Sequence, residues 1–583
     1  MNTDNKNRIR SFVLYSATAL VFGIITSGPA LGCPPSPSLL EARSQAQADG
    51  QVVPDLPDVS DMHALGIDTP SDFFGLRKGG KTPDGQALAT GPFRVLALLV
   101  DFSDHPAQVN SGFFDNLIFG AGPGTVHHYF DEISYTQIDL ITVNVPSSLG
   151  WKRAPQTYAY YVNNNYGMYG VYPNNSQKLV EDLVTLVDAQ VDFSPYDNNG
   201  DGSVDVLLVV HAGTGAELSG NAADIWSHKW GITPRMTGDG VYVSAYTIQP
   251  EFWTAPGDMT IGVYAHELLH GFGLPDLYDT DTSPAFISNG VGRWCVMSTG
   301  SWNGTLGSSP AHPCAWSRVH LGVTTPVNVT TNTNNQSISS VNGGGSIFRL
   351  WTSGTASTEY FLVENRQKTG YDASLPGSGL LIWHIDDLKP DNKQEWYPGV
   401  PASQHFLAAL EQADGLWELE HANDQGDAAD PWPGSLNQTN FNGTSAPTSD
   451  GYLAGGTFVG VTGISPSAST MTANLLVGVS ADVAGDEPLV PGRFVLAQNY
   501  PNPFNPNTTI EFEVPSACDV TLDIYNLLGQ HVRTMLEGRI RGGKTELSWD
   551  ATDNRGESVA SGVYFYRLAL GDSVLTKKMI FLK

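Results

Sequence analysis

The sequence predicts an α+β protein with three folded parts: a domain of mixed sheet and helices, a β-rich domain, and a C-terminal β-sandwich. Of the 583 residues, 41% are hydrophobic and 10% aromatic, which is enough to form several cores. With 62 Gly, 37 Pro and only 15% charged residues, the chain should be rich in strands and loops rather than a helical bundle. Strand and helix patterns alternate only in its first half.

The net charge of the chain is -29, from 59 Asp and Glu against 30 Lys and Arg. A surface this acidic repels phosphate backbones and anionic lipids, so the charge excludes nucleic acid as a partner and disfavours membrane surfaces. The same excess favours bound cations such as Ca²⁺.

Residues 1–32 predict a signal peptide, because basic residues precede an apolar stretch at 12–25 and small residues suit cleavage after Gly32. An N-terminal membrane anchor is the alternative, which the short apolar stretch disfavours. Cys33, directly after the cleavage site, leaves lipidation open. Residues 33–90 are rich in Pro, Asp, Gly and Ser and predict a pro-segment or N-terminal arm.

A mixed α/β domain is predicted over residues 91–322, because strand, helix and strand patterns follow one another there. Residues 95–100 and 204–210 are apolar runs of strand length. Between them, Ser176 is predicted to cap a helix whose apolar residues recur at helical spacing up to Val187.

A β-rich domain is predicted over residues 323–480, where short strands such as 360–365 and 380–385 lie between clusters of Gly, Asn, Ser and Thr. Residues 481–492 predict a linker. Residues 493–583 alternate between apolar and polar side chains and contain turn signals, which indicates a small β-sandwich.

The most informative pattern is HELLH at residues 266–270. A helix places His266 and His270 on one face, where two neutral imidazoles can bind one Zn²⁺. Glu267 is offset by one residue, so it is predicted to take a proton from a water molecule on the metal rather than to bind the metal. A chance match inside an ordinary core is the alternative interpretation.

The residues after this motif favour the metal site. Gly271 and Gly273 are predicted to end the helix, since Gly tolerates the positive φ that such a turn requires. The chain can then return toward the metal and present Asp276 as a third ligand, which leaves a fourth position for water. Met297 either forms an apolar floor under the histidines or is an ordinary core residue.

A calcium site is predicted in the loop at residues 197–205, where Gly202 stands at the sixth position of a calcium-loop pattern. Its candidate ligands are Asp197, Asn199, Asp201, Ser203 and Asp205. Leu208 stands where a complete EF-hand has Glu, so one ligand must come from elsewhere, and a solvated Asx turn is the alternative. A second acidic group predicts either calcium binding or a charged loop: Asp414, Asp424, Asp427 and Asp430.

The chain has four cysteines, and their spacing does not suit a Cys₄ zinc site. Export permits disulfides, and Cys295 and Cys314 are the only pair close in sequence. A bridge between them and a pair of free thiols are both open.

The chain resembles the metzincin-like zinc endopeptidases of the immune inhibitor A type, which are secreted bacterial enzymes. The resemblance rests on HELLHGFGLPDLYD at 266–279, with VDFSD at 100–104, YDNNGDG at 196–202 and GLLIWHID at 379–386. It covers about residues 90–475 and so assigns the β-rich domain to the peptidase unit.

This resemblance implies a metzincin-like fold with a twisted mixed sheet and an active-site helix. It also implies that His266, His270 and Asp276 bind zinc, that Glu267 is the general base, and that Met297 forms the Met-turn. Most metzincins have His as the third ligand, so Asp276 is this family's own variant.

Residues 493–583 resemble the C-terminal sorting domain of the type IX secretion pathway and the Ig-like domains of flagellar hook-cap proteins. The resemblance rests on NYPNPFNP at 499–506 and SGVYFY at 561–566. It implies an Ig-like sandwich that engages the secretion machinery, and a secreted or cell-surface location. An Ig-like stalk with no sorting role is the alternative.

Two functions follow from these patterns. One is a secreted zinc endopeptidase that acts on proteins or peptides; the other is a cell-surface binding or adhesion protein on an inactive peptidase scaffold. The intact motif favours the first, because an inactive scaffold would be free to lose Glu267. The sequence leaves the cleavage specificity, the natural substrate and the oligomeric state open.

Overall fold

The computed structural model describes most of the chain from residue 33 onward. The described residues are 33–49, 51, 91–169, 171–280, 288–393, 397, 402–452, 455–478, 495–514, 518–527, 529–540, 543–570 and 573–583. The predicted signal peptide, most of the N-terminal arm and the predicted linker lie outside them. The described residues form two compact units. The first comprises the described residues up to Thr448 together with Val459–Gly478. The second comprises Ser449–Phe458 together with the described residues from 495 onward.

The first unit begins with a mixed sheet and the helices that cover it. The helices are α1 Pro37–Ala48, α2 Ser111–Phe119, α3 Val126–Ser134, α4 Pro146–Leu149, α5 Tyr158–Val162, α6 Ser176–Val187, α7 Ala216–Ser219, α8 Gly262–Gly271 and α9 Ala315–His320. The strands are β1 Gly91–Arg94, β2 Leu96–Asp101, β3 Ile138–Ile141, β4 Lys152–Arg153, β5 Leu207–His211, β6 His228–Met236 and β7 Tyr242–Pro250.

Five of these strands form one sheet in the order β4-β2-β5-β7-β6, parallel except for the pair β7-β6. Strand β2 is buried on both faces: Leu96, Leu98 and Val100 lie in one core, and Ala97 and Leu99 in another. A strand covered on both sides is apolar throughout rather than alternating. This explains why β2 and β5 appear in the sequence as the continuous apolar runs from which they were predicted.

Helix α6 begins one residue away from the predicted arrangement. Ser176 is its first helical residue, and the Asn175 side chain is the cap, accepting a hydrogen bond from the Lys178 N–H. The predicted Ser176 cap is therefore wrong by one position. Asn and Ser cap helices about equally well, so residue type could not distinguish the two neighbours.

The β-rich part of the chain follows. Its strands, with the short pair β15-β16 that belongs to the second unit, are β8 Val327–Val329, β9 Thr333–Ser339, β10 Phe348–Leu350, β11 Glu359–Arg366, β12 Gly379–Asp386, β13 Ala408–Leu410, β14 Asn440–Phe441, β15 Asp450–Gly451, β16 Gly455–Gly456, β17 Val459–Thr462 and β18 Thr470–Val477. Two sheets, β13-β12-β11-β10-β8 and β14-β17-β18-β9, enclose one core. The helical segments described here are short 3₁₀ turns.

The β-rich part shares a core with the mixed-sheet part. Leu362 and Leu381, on β11 and β12, lie in the same buried cluster as Leu268 on α8 and Met297. The buried Arg366 at the end of β11 pairs with Asp372 at 2.6 Å. The two parts therefore form a single packed unit.

Besides the pair β15-β16, the second unit contains two larger antiparallel sheets. Its further strands are β19 Val495–Leu496, β20 Thr508–Val514, β21 Cys518–Asn526, β22 His531–Ile540, β23 Gly543–Trp549, β24 Gly562–Leu570 and β25 Ser573–Phe581. The sheets β19-β20-β23 and β22-β21-β24-β25 enclose a core that includes Ile510, Leu522 and Trp549. The predicted α+β class is confirmed, and within the described residues no helix has the length and apolar character needed to cross a membrane.

Candidate metal centre

Helix α8 brings two imidazoles to one buried position. All ten of its residues are buried, as expected for a helix in the interior of a unit. His266 and His270 are one turn apart, and their Nε2 atoms lie 3.1 Å from each other. The rings meet edge to face, with an interplanar angle of 88°.

Backbone carbonyls set the orientation of both rings. The Val296 carbonyl lies 2.7 Å from His266 Nδ1, and the Leu274 carbonyl lies 2.9 Å from His270 Nδ1. A carbonyl oxygen only accepts hydrogen bonds, so each ring has its proton on Nδ1. In the neutral form of each ring, Nε2 then carries a lone pair, and this is the atom that can bind a metal.

The turn after α8 brings the third group. Gly273 has φ 88°, a value that favours glycine, and the chain reverses there. Asp276 Oδ1 lies 3.2 Å from His266 Nε2 and 3.4 Å from His270 Nε2. The three predicted zinc ligands therefore converge on one point.

These three groups fit a divalent cation. Among the described residues, the buried Asp276 Oδ1 has no hydrogen-bond partner, although two imidazoles are close. Burial by itself raises the pKa of Asp276, but the positive charges of His270 and His266, when these rings are protonated and no ion is bound, outweigh burial and lower this pKa. Ligands about 2.0–2.1 Å from a tetrahedral zinc are about 3.3 Å from one another, which matches the spacing of these atoms.

The segment around Met297 supports two of these groups through its backbone. Met297 is fully buried, and its carbonyl accepts a hydrogen bond from the Leu277 N–H at 2.8 Å, directly after Asp276. The neighbouring Val296 carbonyl orients His266. Sequence reasoning did not find the carbonyls of Val296 and Leu274, because every residue type has a carbonyl.

Glu267 is fully buried in α8, next to His266. This burial keeps its carboxylate away from bulk water. A carboxylate in such a place can accept a proton without competition from solvent.

The predicted calcium ligands do not converge in the same way. The Asp197 carboxylate accepts hydrogen bonds from the N–H groups of Gly200, Asp201 and Gly202 at 2.7–3.0 Å. Asn199 Oδ1 accepts from the Asp201 N–H, and Asp201 Oδ1 accepts from the Ser203 N–H. The contacts of Asn199 and Asp201 are Asx turns, the alternative interpretation of the loop, and those of Asp197 bind its carboxylate to the backbone of the same loop. They give calcium no support.

Asp205 lies at the end of this loop and is only 2% exposed. Its Oδ1 accepts a hydrogen bond from Asn199 Nδ2 at 2.9 Å, and its Oδ2 accepts from the Asn198 N–H. Burial raises the pKa of Asp205 to about 7.

The second acidic group comes together only in part. Asp414, Asp427 and Asp430 converge, with Asp430 buried. Asp430 Oδ2 already accepts hydrogen bonds from Trp294 Nε1 at 2.9 Å and from the Asp427 N–H at 3.0 Å. The structure therefore gives this oxygen a structural role.

Cys295 and Cys314 are buried, free thiols in the structure, which is the second of the two alternatives that the sequence left open. They are adjacent, because the Cys314 N–H donates to Cys295 Sγ at 3.2 Å.

Comparison with known proteins assigns two regions of the chain. Residues 89–322 match the catalytic domain of the immune inhibitor A peptidase M6 family, and residues 504–572 match the FlgD Ig-like domain. The resemblance seen in the sequence is confirmed for the first region. A type IX sorting role for the second region stays a prediction.

Two relatives are similar over part of this chain. Immune inhibitor A of Bacillus thuringiensis subsp. alesti is 30% identical over 275 residues, which cover 37% of this chain and 38% of that protein. Pre-pro-metalloprotease PrtV of Vibrio cholerae serotype O1 (strain M66-2) is 28% identical over 283 residues, which cover 39% of this chain and 29% of that protein. The alignments thus span less than two fifths of either relative.

Among solved structures, wild-type OgpA from Akkermansia muciniphila aligns with 86% of this chain and 97% of its own chain. The identity is 10% and the TM-score 0.23, which is too low to support an argument.

Proposed function

Residues 89–322 match the catalytic domain of the immune inhibitor A peptidase M6 family. On this basis we propose that the chain is a secreted zinc endopeptidase acting on extracellular proteins. The proposal rests on one observation: His266 Nε2, His270 Nε2 and Asp276 Oδ1 lie 3.1–3.4 Å from one another. Two imidazoles and one carboxylate leave one corner of a tetrahedral site for a water molecule or a substrate, as in catalytic zinc sites.

A zinc ion held by His266, His270 and Asp276 would supply a Lewis acid for the peptide carbonyl and would lower the pKa of a water molecule. His266 and His270 are held at Nδ1 by backbone carbonyls, so their Nε2 atoms cannot turn away. The Glu267 carboxylate accepts the proton from the attacking water and returns it to the leaving amine. Asp276 offsets part of the positive charge of the ion.

The finer parts of the proposal follow the sequence. The catalytic domain has the metzincin-like arrangement, with Met297 as the Met-turn and residues 323–480 within the peptidase unit. The signal peptide directs export, and the C-terminal domain engages the secretion machinery. A structural Ca²⁺ in the loop at 197–205 stays a prediction of the sequence alone.

The variant Glu267→Gln tests the general base. We expect it to retain about one zinc per chain and to lose turnover by about 10²–10⁴-fold, the usual contribution of a general base, or more. Zinc is measured by elemental analysis, and turnover by casein hydrolysis with and without a chelator. Because an N-terminal arm can hold a peptidase latent, turnover is measured before and after limited proteolysis of residues 33–90.

The matched control is Glu181→Gln, a buried glutamate on helix α6 that accepts a hydrogen bond from Tyr172. The Glu181→Gln variant should bind as much zinc as the wild type and hydrolyse casein at the same rate. Wild-type protein with zinc but no turnover after proteolysis would favour the alternative, a binding or adhesion protein on an inactive scaffold. Turnover that survives the chelator would exclude a metal-dependent mechanism.

A further inference from the structure

Two neighbouring backbone carbonyls support the metal centre from one side. The Val296 carbonyl lies 2.7 Å from His266 Nδ1. The Met297 carbonyl accepts a hydrogen bond from the Leu277 N–H at 2.8 Å, directly after Asp276. The placement of two of the three ligands therefore depends on where this short stretch of backbone lies.

The stretch that leads to these carbonyls has little regular structure of its own. Its helical part is the 3₁₀ turn Gly292–Trp294, and the next residue, Cys295, is extended with φ -142° and ψ 140°. A single 3₁₀ turn provides few internal hydrogen bonds, so contacts with other parts of the unit must hold it. Only one residue separates Trp294 from Val296, so a shift of the Trp294 backbone would move the carbonyl that orients the imidazole.

A loop of the β-rich part, residues 419–430, provides these contacts through its backbone. The Asn289 N–H donates to the Leu419 carbonyl at 2.8 Å. The Arg293 N–H donates to the Gln425 carbonyl, also at 2.8 Å. The loop therefore lies against the stretch that leads to the two supporting carbonyls.

A side-chain contact joins the same loop to Trp294. The indole is fully buried, and its Nε1 donates to Asp430 Oδ2 at 2.9 Å. Asp430 is only 1% exposed, and the same oxygen accepts the Asp427 N–H at 3.0 Å. A buried indole N–H has no solvent to replace this acceptor, so loss of the contact leaves the donor unsatisfied.

The loop is shaped for this contact. Gly426 has φ 111°, a value that favours glycine. A Cβ at this position would lie 2.6 Å from Trp294 Nε1, so only glycine lets the loop backbone approach the indole this closely.

We propose that Trp294 and Asp430 are positioning residues of the metal centre: their hydrogen bond fixes the backbone from which the Val296 carbonyl orients His266. The inference rests on the proposed function. It extends the residues that support the site beyond 89–322, the region that matches the catalytic domain. The pair acts through the backbone, so its loss should change the affinity for the metal and the rate of turnover rather than the binding of substrate.

Zinc affinity tests the pair in the full chain, in calcium-free buffer. Trp294→Phe keeps an aromatic ring but removes the N–H. We expect it to weaken zinc binding by about tenfold, the lower end of the usual effect of losing an outer-shell partner, as measured by competition with a chelator. Per bound zinc, kcat for casein should fall while KM stays unchanged. With Co²⁺ in place of zinc, the visible absorption bands should shift, because they report the geometry of the ligands.

Two variants test the other partner. Asp430→Ala removes the acceptor and should weaken zinc binding as much as Trp294→Phe does. Asp430→Asn keeps an oxygen acceptor and should retain most of the wild-type affinity. Because the two residues act as one pair, the double variant Trp294→Phe with Asp430→Ala should bind zinc no more weakly than either single variant.

The matched control is Trp316→Phe, which removes a similar bond in the same unit, from Trp316 Nε1 to Asp387 Oδ1 at 3.1 Å. It should lower the melting temperature but leave the zinc affinity and the Co²⁺ bands unchanged. Equal losses of zinc affinity in Trp316→Phe and Trp294→Phe would show a general loss of stability and overturn the inference. If Trp294→Phe does not fold, equal zinc affinities in Asp430→Ala and Asp430→Asn would overturn it.

The outcomes separate this inference from the proposed function. Wild-type zinc affinity and turnover in both Trp294→Phe and Asp430→Ala would overturn the positioning pair and leave the endopeptidase proposal intact. Additive losses in the double variant would show that the two residues act separately, and would also overturn the pair. Failure of the wild type to bind zinc would refute the metal site itself.

Discussion

Two regions of the chain have metal-binding patterns in the sequence, yet the structure arranges their oxygen and nitrogen atoms differently. In α8 and the turn after it, three ligand atoms converge at 3.1–3.4 Å. In the loop at 197–205, the Asp197 carboxylate accepts three N–H groups of its own loop. A motif therefore predicts a metal site more reliably when a rigid element directs the side chains.

The physical reason lies in the backbone donors. Inside helix α8 the N–H groups are paired with carbonyls of the preceding turn, so the side chains of His266 and His270 do not have to satisfy them. In the loop, the N–H groups that follow Asp197 have no such partners, and its carboxylate takes them. A cation would have to compete with these hydrogen bonds.

The largest expected effect comes from exchanging one carboxylate in each region. Asp276→Asn should weaken zinc binding by at least about 100-fold, because it removes the charge of a direct ligand. Loss of an outer-shell partner already lowers metal affinity by up to about 100-fold, and loss of a direct ligand should cost more. Asp197→Asn should leave zinc binding unchanged. Zinc retained after dialysis against graded chelator measures both, and equal losses in the two variants would contradict the contrast.

A smaller effect is expected from the glycines that turn the chain in each region. Gly273 has φ 88° and Gly200 has φ 74°, so alanine at either position is strained by about 1–2 kcal/mol. Both variants should lower the melting temperature. Only Gly273→Ala should also weaken zinc binding, because its turn brings Asp276 to the site. Unchanged zinc binding in Gly273→Ala would show that Asp276 does not depend on this turn.

The third expected effect concerns pH and Asp205, whose pKa is raised to about 7 by burial. The unfolded chain has an Asp pKa of about 3.9, so the folded state holds the proton more tightly. The proton on Asp205 therefore stabilises the folded state. This contribution to the free energy of unfolding is complete below about pH 4 and is lost as the pH rises to about 7. Asp205→Asn should therefore lose less stability than the wild type between about pH 5 and about pH 8, as measured by thermal unfolding in calcium-free buffer.

The exposed Asp201 serves as the control, because its charge raises the pKa of Asp205 less than burial does, so the stability of Asp201→Asn should depend on pH nearly as that of the wild type does. If Asp205→Asn and the wild type lose stability equally, burial of Asp205 is not the cause. Added calcium that raises the melting temperature of the wild type at about pH 8, but not that of Asp205→Asn, would support the loop as a cation site.

The parts of the fold that were predictable follow from periodicity. Strands β2 and β5 are covered on both faces, so each appears as an apolar run, and β11 and β12 lie between clear turn signals. The cap of α6 was missed by one residue because Asn175 and Ser176 are nearly equivalent. The burial of Cys33 and Pro34 was not predictable either, because their respective partners Trp226 and Trp302 are distant in sequence.

The sequence by itself determined which residues could bind a metal, because the spacing of His266 and His270 and the glycines after them are local features of one helix and one turn. Only the tertiary structure decided which acceptors turn toward an ion and which toward their own backbone. It also decided which carbonyls hold the imidazoles. The Val296 carbonyl is 30 residues from His266 in the chain, and the partners in these contacts are backbone atoms, which are the same in every residue type.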